Sequence, residues 1–127
     1  RNDLDAVGVP AATTQAYAPS AFTRALVGYN YWAADRLNPC SVLGMLYTLE
    51  VIASVYGGPF ASAIKESLLL EGERGASFIN SHATMDAEHM ADLRKILNTL
   101  EDEAACDAVV DAALLNFHHF TRIIEQV

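Results

Sequence analysis

His82, Asp86 and His89 stand at an H-x3-D-x2-H spacing. At about 100° per residue, three side chains so spaced fall within roughly 60° of one another on one helix face. Two imidazoles and a carboxylate that converge suit Fe, Mn or Zn, because imidazole supplies borderline nitrogen donors and the carboxylate supplies compensating charge. The same stripe continues through Leu93, Ile96 and Leu100, so the three are expected to point into a core, with Glu88, Asp92 and Lys95 on the solvent side. Glu50 is the one charged residue between Arg36 and Lys65, set among Leu43, Leu46, Tyr47, Leu49, Val51 and Ile52. An isolated charge buried there costs on the order of several kcal/mol, so this carboxylate must be protonated, paired or bound to a metal. Ala53 and Ser54, one turn on, are small and leave space beside it. Bundle metal sites combine a Glu from one helix with a carboxylate-x-x-His pair from another. Glu50 with Asp86 and His89 has that form, and His82 adds a further nitrogen. The competing reading satisfies each of these polar groups by hydrogen bonds inside a metal-free core.

Other chemistry-bearing residues are less well placed. His118 and His119 are adjacent, so they project about 100° apart and do not face one site. Tyr29, Tyr31, Trp32 and Tyr56 read as core aromatics, whereas Tyr47 lies one turn before Glu50 and is the candidate catalytic side chain, within reach of an oxidant held by a metal. Cys40 begins a helix with no base near it in sequence, and Gly57-Gly58 and Gly72/Gly75 form no phosphate-binding fingerprint.

The elements that must position these groups are helices. Residues 1–19, with Gly8, Pro10 and Pro19, read as a loop or connector. Ser20 caps a helix over about 21–37, and Asn38-Pro39 ends it and starts the next, which is expected to stop at Gly57-Gly58. Shorter and longer helical patterns follow over about 59–70, 79–99 and, after the cap Asp102, to the C-terminus. No alternating strand pattern and no repeat appears, so the class is all-α, a bundle in one domain spanning 1–127.

At 127 residues, 52% of them apolar, the chain suffices for one core. Its net charge of −8 argues against nucleic acid as a partner, which takes clustered Lys and Arg. The largely apolar run within 37–64 is interrupted by Pro, Gly and Glu50 and reads as a buried helix rather than a membrane span. Two distant cysteines, Cys40 and Cys106, give no disulfide framework, so the expected setting is cytoplasmic.

These residues resemble the haem-oxygenase-like diiron oxidases and oxygenases, relatives of the TenA and PqqC proteins. His82, Asp86 and His89 match the H-x3-[DE]-x2-H of that family's third core helix, and Glu50 matches the Glu of its second. The resemblance covers roughly residues 21–100. It implies a helical bundle that binds two irons, activates O2 and oxidises a small amine, amino acid or fatty acid, with Glu50, His82, Asp86 and His89 as metal ligands. Family members also draw a Glu and a His from a first core helix, and all four histidines here lie at or after His82. The expectation is therefore a haem-oxygenase-like bundle lacking its first core helix, with two irons in the complete protein and one or none in this chain. An apolar groove is expected where that helix packed, flanked by the faces of 21–37 and 43–52. The expected partners are a small-molecule substrate and a second copy in a homodimer. The competing functions are a metal-free helical interaction domain and a cofactorless TenA/PqqC-like enzyme.

Overall fold

The structure, a computed structural model, describes residues 2–72 and 74–126, save the side chains of residues 2 and 83–87. The helices are α1 (Asn2–Ala6), α2 (Ala11–Ala16), α3 (Ala21–Trp32), α4 (Ser41–Ile52), α5 (Gly58–Ser67), α6 (Ser77–Leu97) and α7 (Glu103–Ile124). π-helical turns over Ala33–Leu37 and Ala53–Gly57 extend α3 and join α4 to α5. No strand occurs among the described residues, so the protein is all-α. Both expected caps form: Ser20 Oγ accepts from Thr23 N at 3.1 Å and Asp102 Oδ2 from Ala105 N at 3.1 Å. Each such cap contributes about 1 kcal/mol by satisfying an otherwise orphaned helix amide.

Two expectations are corrected. The stretch 1–19, read as a loop, carries α1 and α2, which are too short to show apolar periodicity. Gly57-Gly58 does not end a helix: both residues hold right-handed helical dihedrals, and the chain is helical from Ser41 through Ser67. Pro59 lacks an N–H and crowds the carbonyl one turn back. The wider π turn immediately before it accommodates both defects. This helix is long and apolar enough, by length and composition alone, to cross a membrane, a test that core helices of soluble proteins also pass.

The chain divides into two compact units, 1–18 with 50–89 and 19–49 with 90–127. In the second, small residues let helices approach closely: Gly44 of α4 lies against the backbone of α7 at Val109 and Ala113, where a Cβ would meet Val109 O and stand 2.8 Å from Ala113 N. Ala33, Leu93, Ala105, Val109 and Ala112 form its buried apolar core, with Thr48 Oγ placed 3.1 Å from both Gly44 O and Ala113 O. The α3–α7 contact is set by Asn30 and Asn116, which exchange amide hydrogen bonds of 2.8 and 2.9 Å. Tyr31, Trp32 and Tyr56, expected in the core, are exposed, as are Val27, Leu37, Leu46 and Leu49.

The first unit buries Ala61 and Ala76 and is tied together by α1. Asp3 reaches the start of α6, where its Oδ1 accepts from Gly75 N (3.0 Å), Ser77 N (3.1 Å) and Ser77 Oγ (2.8 Å), and its Oδ2 from Phe78 N (2.8 Å). These bonds hold the Asp3 carboxyl at a pKa of about 2, the Phe78 amide contributing most. Gly75, at φ +89°, makes the turn before α6, and Val7 and Leu70 close over the space where a side chain would stand.

Candidate metal centre

Glu50 sits near the end of α4, directly before the π-helical turn Ala53–Gly57, and His89 sits in the middle of α6. Such insertions in a helix recur at functional sites because they re-aim the side chains beside them. Glu50 Oε1 lies 3.4 Å from His89 Nδ1, an ion pair when the imidazole is protonated. The Glu50 side chain is 22% exposed and that of His89 45%. The carboxylate thus has an imidazole within ion-pairing distance, a counter-charge when His89 is protonated, and the two open to solvent on the His89 side.

His82 lies seven residues before His89 on α6, about 10 Å away along the helix axis. It is exposed, its ring rests on that of Phe78 at 4.3 Å, and its Nδ1 is 2.8 Å from Phe78 O. A carbonyl oxygen only accepts, so Nδ1 carries the hydrogen and Nε2 is the nitrogen with a free lone pair. Asp86 belongs to α6 between the two histidines, but its side chain lies outside the described residues. Among the described residues no group of three or more His, Cys, Asp or Glu assembles.

The inward direction expected for the whole stripe holds at Leu93 and is corrected at His82, His89 and Ile96. Leu93 is buried, whereas His82, His89 and Ile96 are exposed. Helical periodicity states which residues share a face; whether a neighbour covers that face along its full length depends on the other elements. Tyr47 is half-buried on α4, one turn before Glu50. Tyr29 has its phenol pushed up by burial and by the charge of Asp111, which keeps it protonated. Cys40 is half-buried, its amide held by Asn38 Oδ1 at 2.9 Å, and Cys106 is exposed. His118 is exposed and His119 half-buried, their rings edge-to-face at 5.6 Å. A surface depression of about 340 Å³ on the other side of the π turn is lined by Ser62, Lys65, Glu66, Leu69 and Leu70 and by none of the candidate donors.

The donors present fit iron. Glu50 Oε1 and His89 Nδ1, 3.4 Å apart, are near enough for one ion to meet both. One is a carboxylate oxygen and the other an imidazole nitrogen, the donor types that hold non-haem iron. Sequence reading misses Asp3 and Phe78, which hold the start of α6. Asp3 falls in a stretch without periodicity, and its partners are more than 70 residues away.

A family model described as iron-containing redox enzyme matches residues 1–119. No curated protein and no solved structure matches the chain. A match over that span, on an all-α chain with a carboxylate–imidazole pair between two of its helices, places this protein in the iron-containing redox enzyme family with a haem-oxygenase-like fold.

Proposed function

We propose that the protein binds iron through Glu50 and His89, with Asp86 and His82 completing the donor set along α6, and uses it with O2 to oxidise a small amine, amino acid or fatty acid. The observation that supports this most is the Glu50–His89 pair, which joins two helices within the span that the family model matches. Bound iron supplies the one-electron steps by which O2 is reduced and a substrate C–H or N–H bond oxidised.

The protein's own residues do the rest. Glu50 contributes negative charge where the helix has no other ionised group for more than a dozen residues on either side, so an entering cation finds its compensation there. His89, half in water, marks the side from which small molecules enter. His82 offers Nε2, its other nitrogen being occupied by Phe78 O. Because His82 and His89 are two turns apart, Asp86 stands one turn from each and is the residue able to serve with either.

Anaerobic loading with Fe(II), followed by metal analysis and exposure to O2 in the presence of candidate amines, amino acids and fatty acids, tests this reading. One or two irons per chain and a substrate-dependent optical change are expected. No binding of Fe(II), Mn(II) or Zn(II) removes the oxidase and leaves a metal-free helical domain.

A further inference from the structure

We propose that Asp3 is a positioning residue for His82: its carboxylate fixes the first turn of α6, whose Phe78 carbonyl holds His82 Nδ1 and so leaves Nε2 as the ring nitrogen offered to a metal. The inference rests on the reading of His82 as an iron ligand, but its structural half stands apart from iron.

The chain of contacts is short. Asp3 Oδ2 accepts from Phe78 N at 2.8 Å, and Phe78 O lies 2.8 Å from His82 Nδ1. Both atoms of Phe78 belong to the first turn of α6, where helix amides have no partner of their own and a turn frays unless something accepts from them. Ser77 does not cap its own helix, since its hydroxyl is directed to Asp3. The first turn therefore depends on a carboxylate from a distant part of the chain. A second contact between the same segments, Val7 and Leu70 over Gly75, makes α1 a latch on this turn rather than a casual neighbour. The Phe78 ring, at 4.3 Å from the imidazole, moves with the same residue. Freed from Phe78 O, an exposed imidazole takes up the Nε2–H form that histidine favours in water. That form carries its hydrogen on Nε2, which must move to Nδ1 before Nε2 can take a metal.

The two carboxylate oxygens have different partners, and this gives a selective test. Asp3→Asn keeps one oxygen for Gly75 N, Ser77 N and Ser77 Oγ but sets an NH2 group against the Phe78 N–H, donor against donor. Ser77→Ala removes one bond to Asp3 and leaves Phe78 untouched. The experiment records the two-bond ¹H–¹⁵N correlations of the His82 ring in the metal-free protein at neutral pH, and the Fe(II) Kd, for wild type, Asp3→Asn, Ser77→Ala and His82→Ala. Wild type and Ser77→Ala are expected to show Nδ1–H. Asp3→Asn is expected to shift His82 toward Nε2–H and to weaken Fe(II) binding about tenfold, the usual effect of losing a group that orients a ligand. An unchanged His82 ring in Asp3→Asn overturns the positioning role, whatever the iron does. A shifted ring with Fe(II) binding unaltered in both Asp3→Asn and His82→Ala upholds the positioning of the imidazole and overturns instead its use as a ligand.

Discussion

Glu50 Oε1 stands 3.4 Å from His89 Nδ1, so the one charge in the apolar stretch of α4 and α5 meets an imidazole from α6. The pair is open enough to water that its loss costs little in the metal-free protein. Glu50→Ala is expected to change metal-free stability by less than about 1 kcal/mol, because both partners of an ion pair with this exposure stay partly hydrated. Urea unfolding with and without Fe(II) measures this. The stabilisation that Fe(II) gives wild type should be lost in the variant.

Asn116 is 1% exposed and both of its amide hydrogens are used, on Asn30 Oδ1 and Ala112 O. Asn116→Ala leaves the Asn30 amide facing a cavity between α3 and α7. A loss of about 2 kcal/mol is expected from unsatisfied polar groups of this kind. In a double-mutant cycle with Asn30→Ala the second substitution should cost less than it does alone.

Gly44→Ala places a methyl group on Val109 O and within 2.8 Å of Ala113 N, atoms of helix backbone that do not yield as a flexible side chain would. The expected cost is about 2–3 kcal/mol, at the upper end for overpacking. Gly28→Ala, where a Cβ meets open space, is the control and should gain about 0.5–1 kcal/mol from helix propensity.

The helices and their caps are legible in the sequence because their causes are local: Ser20 and Asp102 sit beside the amides they accept from, and α7 carries its apolar spacing along its own length. Gly57-Gly58-Pro59 misleads because a residue's tolerance for ending a helix is not a command to end it. Gly57 is buried and holds a right-handed helical conformation that any residue adopts. In the candidate site, Glu50 is legible as a charge that requires a partner, and His89 is the partner that the structure supplies. The Asp3 latch is not legible, since it depends on contacts between segments far apart in the chain.

Asp3 carries the pH dependence. Its carboxyl titrates at about 2 against an ordinary 3.8, chiefly through the Phe78 amide and the Ser77 hydroxyl. A folded pKa below the unfolded one means that the latch contributes fully above pH ~4 and is lost as the pH falls toward 2. The amide resonances of Gly75, Ser77 and Phe78 should titrate together with a midpoint near 2. A midpoint near 4 would show that the carboxylate gains nothing from these bonds.

The most direct measurement is the Fe(II) content of His89→Ala beside that of Glu88→Ala after anaerobic loading and desalting. The substitutions are adjacent in sequence, both side chains are exposed, and only His89 faces Glu50. Glu88→Ala should retain iron as wild type does, and His89→Ala should bind it at least about tenfold more weakly. Equal retention of iron in the two variants would contradict the assignment of the Glu50–His89 pair to the metal.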